Sequence, residues 1–189
     1  MDPILVDGPA VEPVTVPEMR AWLRLDDAAE DPVVAALIMA ARLAVETAAR
    51  RILIESRWRA VVDAWPAGRV VRLPLSPVIA VDTVEVVDAA GVAHALVASA
   101  YRIHVASDPA RLFIDTSAPE PGITPGGIAI EFRAGFGATA AAVPEPLRHA
   151  VRLLVARWFE HRGDEAEPAR AALPDDVVTL VSPYRRARL

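Results

Sequence analysis

The chain has no cysteine, which excludes internal disulfides and thiolate metal sites. It has no lysine either. All 20 basic residues are arginine, and beside the abundant Ala and Pro this reads as coding bias rather than a demand for guanidinium chemistry. Aromatic residues make up only 5% of the chain, so Ala, Val and Leu must fill the core that a 53% hydrophobic content provides. Positive charge is in deficit: the formal net charge of −5 argues against a protein whose main task is coating nucleic acid. The first residues, MDPILVDGPAVEPV, lack a basic stretch before an apolar run, so no signal peptide is expected. The longest apolar run, Val33 to Ala41, is stopped by Arg42 well short of the roughly 20 residues a spanning helix needs. A soluble protein made in a cytoplasm is the expectation. At 189 residues it should be one domain, or one domain with a sizeable insertion.

Helical periodicity marks the two halves of a core. Residues 1–14, with three prolines and no periodicity, read as an extended arm. Thr15 and Glu18 have capping-box spacing and open a short helix to about Arg24, with Met19, Trp22 and Leu23 inward. Asp31 followed by Pro32 reads as a second N-cap. The long helix it starts runs to about Arg51, with Val33, Val34, Leu37, Ile38, Ala41 and Val45 inward. Arg50 and Arg51 would complement its dipole.

The strongest stripe lies in Pro144–Gly163. Leu147, Val151, Leu154, Val155 and Trp158 fall on one face of a 3.6-residue period, with Gly163 placed as a C-terminal cap. A polar stretch from 163 to 172 then leads to a last short helix, Pro174–Tyr184, and a basic tail.

Between these halves the period changes to two. Residues 54–63 alternate as a strand with one wet face, and further strands are expected at 70–73, 81–88, His94–Val97, Tyr101–Val105, Arg111–Asp115 and Gly127–Ala134. Thr116–Gly127, rich in Pro and Gly, reads as a mobile loop. Short strands in succession without intervening helices imply antiparallel pairing. The predicted class is α+β: about four helices at 15–51 and 144–184, an antiparallel β-meander at 52–135 inserted between the second and third helices, and a tail at 185–189.

No catalytic constellation emerges. His94, His104, His149 and His161 have no metal-ligand spacing, so no metal is expected. Glu160 and His161 cannot share a helix face. AGFGA supplies only GxG, a strand-ending turn rather than a nucleotide loop, and no serine has an evident base partner. Neither catalytic residues nor a cofactor are predicted. Asp26, Asp27, Glu30 and Asp31 read as a solvated loop. Only Arg185, Arg186 and Arg188 escape explanation by a core; with Tyr184 they would suit a docking peptide.

Taken in order, EPVTVPEMRAWLRLD, EDPVVAALIMAARLAVETAARRIL, SRWRAVVDAWP, RLPLSPV, YRIHV, IAIEFRAGFG, VPEPLRHAVRLLVARWFEHR and LPDDVVTLVSPYRRARL resemble the head–tail connector (adaptor) family of tailed bacteriophages and gene transfer agents. The stretch AEPARAA departs from the family's pattern. The resemblance implies a structural role: a homo-oligomeric ring of about twelve subunits beneath the portal, at the capsid–tail junction of a virion or gene transfer agent particle. Such a ring extends the DNA channel without binding DNA specifically and touches no membrane. Its partners would be the portal and a tail-side stopper or terminator protein. By carry-over, Tyr184, Arg185, Arg186 and Arg188 would contact the portal. Two rivals stand beside this reading: another head-completion or tail-terminator protein, or a small enzyme holding a divalent cation on the acidic cluster.

Overall fold

The computed structural model describes residues 1–161 and 173–185. The chain forms two compact units, one from Met1–Ala10 and Glu55–Gly137, the other from Val11–Ile54 and Ala138–Leu189.

The second unit is helical. The capping box is present: the Thr15 hydroxyl accepts from the Glu18 N–H at 3.3 Å, and the Glu18 carboxylate accepts from the Thr15 N–H at 2.7 Å. It opens α1, Val16–Leu23. Two orphan donors are thereby satisfied at once. Helix α2 spans Asp31–Ala49, and Asp31 is its first residue rather than its cap, its carboxylate lying 3.5 Å from Arg20. Arg24 and Arg50 close α1 and α2 in the left-handed region, at φ 57° and 53°, a conformation that side chains bearing Cβ adopt at a cost. Helix α3 covers Glu145–Glu160 and α4 covers Asp175–Val181. The expected cap Gly163 lies outside the described residues.

Helices α2 and α3 pack together, with α1 and α4 against both. Leu147, Val151, Leu154 and Val155 of α3 and Ile38 of α2 are buried. Trp158 and Leu37 are only partly covered. Trp158 sits on the last turn of α3 and is too bulky to be fully enclosed; Leu37 lies on the flank of α2. Two residues expected inward point elsewhere. Val33 is exposed, and Trp22, 46% exposed, meets His149 edge to face at 5.6 Å.

The first unit holds eight strands: β1 Pro3–Asp7, β2 Ser56–Val62, β3 Val70–Arg72, β4 Val78–Val87, β5 Ala93–Ala95, β6 Tyr101–His104, β7 Arg111–Ile114 and β8 Ile128–Ala134. All but β1 lie between α2 and α3 in the chain. The strands read as one meander separate into two antiparallel sheets, β1-β2-β8-β4-β5 and β3-β7-β6. The most buried strand, β8, takes the centre of the larger sheet, where Ile128, Ile130 and Phe132 are enclosed, displacing sequence neighbours from one another. Within the segment read as an extended arm, Pro3–Asp7 is an edge strand: Ile4 stands opposite Arg59 and Leu5 opposite Trp58.

The wet face of the larger sheet is a lattice of opposite charges. Arg57 bonds Glu131 at 2.5 Å, and Arg133 bonds Glu55 at 2.8 Å and Asp82 at 3.0 Å. The loop 116–127 is anchored. Trp65 Nε1 donates to the Pro119 carbonyl at 2.8 Å, Gly126 N–H to Asp63 at 2.7 Å, and Arg69 pairs with Glu120. At Gly122 a Cβ would stand 2.1 Å from the Ala89 nitrogen, so the chain passes too close there for any side chain.

Candidate functional site

Helix α2 has three charged residues, and all three are paired within the chain. Asp31 faces Arg20. Arg42, itself buried, donates from Nε to Glu12 at 2.7 Å and from a terminal nitrogen to Glu46 at 3.1 Å. The other oxygen of Glu46 accepts from the Leu53 N–H at 2.9 Å. Burial opposes the Arg42 charge, but the bond to Glu12 and the charges of Glu46 and Glu12 outweigh it, so Arg42 holds its proton more tightly than an ordinary arginine. Burial pushes the Glu46 carboxyl above the usual range, against the pull of Leu53 and Arg42.

With its charges so consumed, the helix presents a solvent face with none. Pro32, Ala36, Met39, Ala40, Leu43 and Thr47 fall at helical spacing, all exposed, with Val33 and Ala35 beside them. Met39 and Leu43 are each 50% exposed. The solvent side of a surface helix ordinarily carries the polar residues, and a contiguous apolar stripe marks a contact surface. By length and composition the whole of α2 would even pass for a membrane-crossing segment. The sequence run ending at Arg42 understated this, because a charge tied up internally does not interrupt the outer face. The run's lack of charge from Pro32 to Ala41 was the available signal.

A second ionic cluster joins α1 to α3. Arg148 donates to the Pro13 carbonyl at 2.9 Å, to Glu145 at 2.9 Å and to Glu18 at 2.8 Å, while Arg152 bonds Glu145 at 2.5 Å. Burial lifts the Glu18 carboxyl, but its bonds to Thr15 and the charges of Arg148 and Arg152 leave it below the usual range. The Arg152 hydrogen bond lowers Glu145 as well.

Among the described residues no group of three or more His, Cys, Asp or Glu is placed to hold a metal ion. The histidines are scattered: His94 bonds Asp88 at 2.8 Å, His161 lies 2.8 Å from the Arg157 carbonyl oxygen, and His104 is on β6.

No family model and no curated protein matches the sequence. Solved structures do. A chain in the neck of an empty gene transfer agent particle, solved with sixfold symmetry, is 34% identical. The match covers 100% of this chain and 97% of that one, at a TM-score of 0.82. The chain belongs to the neck proteins of gene transfer agents. This neck protein is also similar to a chain of the native gene transfer agent virion, at 33% identity over 100% and 97% of the two chains and a TM-score of 0.80. A third match, in a native particle neck solved with twelvefold symmetry, has 31% identity, coverage of 98% and 97%, and a TM-score of 0.72.

The predicted docking residues fall at the end of the helical unit. A short 3-10 turn, Ser182–Tyr184, follows α4. The Tyr184 carbonyl accepts from Arg51 Nε at 3.0 Å, so Arg51, expected to serve the α2 dipole, instead ties down this terminus. Arg185 is exposed. Arg186 and Arg188 lie outside the described residues.

Proposed function

We propose that this neck protein is a non-enzymatic ring subunit, a head–tail connector that joins capsid to tail around the DNA path. Its location is the particle neck. The observation that carries the reading is the charge-free outer face of α2. A 19-residue helix that pairs every charge within the chain and turns Met39 and Leu43 outward is made to be covered by a protein neighbour. Six- and twelvefold symmetry in the similar necks supports a ring as the arrangement that covers it. A net charge of −5 suits a channel through which DNA slides, since each Lys or Arg contact with phosphate strengthens binding.

The test is Met39→Glu combined with Leu43→Glu. Both positions face solvent, so helicity by circular dichroism should match wild type, while incorporation into purified particles should be lost. Normal incorporation of that double variant would remove the ring reading.

The tail is the proposed portal contact, with Arg185, Arg186 and Arg188 pairing with carboxylates and Tyr184 as anchor. The Arg51 bond to Tyr184 sets where to cut. A chain ending at Tyr184 should keep the fold yet fail to bind its own portal at micromolar concentration. Undiminished binding by the truncated chain would exclude the tail as the portal contact.

A further inference from the structure

The smaller sheet carries an arrangement that its own stability does not favour. Registers put Val70, Phe113 and Arg102 in one row across β3, β7 and β6, and Arg72, Arg111 and His104 in the next. Val71 and Leu112 fill the opposite, buried face. The outer face therefore holds three arginines and an imidazole around Phe113, with Arg72 directly opposite Arg111. Like charges directly across a ladder are destabilising. The larger sheet also sets Arg57 opposite Arg133, but there each arginine has carboxylate partners, Glu131 for Arg57 and Glu55 and Asp82 for Arg133; the smaller sheet supplies none. Among the described residues, Arg72, Arg102 and Arg111 form no ion pair. Arg111 reaches only the Ser107 hydroxyl at 3.4 Å and lies 5.9 Å over the Phe113 ring. Asp115 feels the Arg102 charge, but its carboxylate is turned to the Ser117 N–H at 2.8 Å. Five of the six outer residues, Arg72, Arg102, His104, Arg111 and Phe113, are exposed, and Val70 is half-buried.

We infer that this basic, Phe113-centred face is the complementary half of the ring contact, and that it takes the acidic loop before α2, with Asp26 and Asp27, together with the α2 stripe in a second copy of the chain. The inference rests on the ring reading above and deepens it. A ring is built from heterologous contacts, so each subunit must offer two different, mutually complementary patches. One patch is the apolar stripe of α2. The loop that leads into it carries Asp26 and Asp27, both exposed, so a complement that is apolar and basic together suits the two. The outer face of β3-β7-β6 is that combination. Arginine and aromatic side chains are also those enriched where proteins meet proteins. DNA is the poorer occupant. A pI near 5.4 is far from a nucleic-acid binder's, and a phosphate backbone does nothing to cover Phe113.

The natural absence of cysteine makes the test clean. A full-length chain with Asp27→Cys is mixed at high concentration with one carrying Arg102→Cys, and the mixture is oxidised. The mixed disulfide should form far faster than either homodimer. In parallel, Arg72→Glu with Arg102→Glu should weaken self-association in sedimentation by about tenfold or more and remove its salt dependence. Adding Asp26→Arg and Asp27→Arg to the same chain should restore it. Self-association unchanged by the reversal, with no preferred mixed disulfide, overturns this pairing while leaving the ring intact. A chain that stays monomeric and gives no mixed disulfide overturns it too. So does loss of duplex-oligonucleotide binding as the reversal's only effect, since the face would then serve nucleic acid. Failure of the ring reading is separate, because that is read from Met39 and Leu43 in particles.

Discussion

Replacing Arg42 with alanine should cost about 3–5 kcal/mol of stability, because it breaks a buried ion pair and strands the remaining charge. Arg42 bridges Glu12, 30 residues earlier in the chain, and Glu46, one turn on. Without it, Glu46 keeps only the Leu53 N–H in surroundings that already disfavour its ionised form. Denaturant unfolding measures the loss, and a second pair of measurements identifies its cause. Arg42→Met with Glu46→Gln should recover most of the stability, since the amide still accepts from Leu53 and no buried charge remains. The deficit of Arg42→Ala should also depend on pH. A carboxyl whose folded-state pKa is raised contributes most below its unfolded value, near 4.5, and that contribution is lost as pH rises through the folded value. The deficit should therefore narrow toward pH 4.5 and widen above it. Glu18, held low by its Thr15 bonds and then by Arg148 and Arg152, and Glu145, held low by Arg152 and Arg148, shift the opposite way, so their contribution is lost as pH falls and is common to both chains. A loss below 1 kcal/mol at pH 7, on the scale of an exposed ion pair, would show that Glu46 finds water when Arg42 is gone.

Leu154→Ala should cost about 2–5 kcal/mol, the range for deleting a buried leucine and leaving a cavity. Leu154 sits on α3 with no exposure, between Val151 and Val155, which are equally enclosed. Leu153, one position away, is partly exposed, so Leu153→Ala serves as the internal control with a smaller effect. Thermal unfolding of the two variants separates core packing from helix propensity, since both changes put alanine on the same helix. Equal losses would mean that the inward stripe is not what holds α3.

The parts of this protein legible in its sequence are those decided by neighbours in the chain. The Thr15–Glu18 capping box, the α3 stripe from Leu147 to Val155 and the period change near residue 55 all rest on interactions within a few residues. The resemblance to connectors pointed to the particle neck, where similar chains occur. The sequence pattern overextended where a helix has two apolar faces. Val33 and Met39 look alike in a string of letters, and only packing against α3 determines which side of α2 is inward. Pairing between distant strands has no local signature either. Nothing in PILVD announces that it will lie along Trp58, nor in IAIEFRA that it will enter between β2 and β4. Arg42 reads as the end of an apolar run until Glu12 is brought to it. The row Arg72, Arg111 and His104 likewise does not exist until β3, β7 and β6 are in register. Composition and short-range spacing thus determined the elements and the core stripe of α3. Which faces stay uncovered, and so where a partner can bind, was decided by long-range pairing that only the tertiary structure contains.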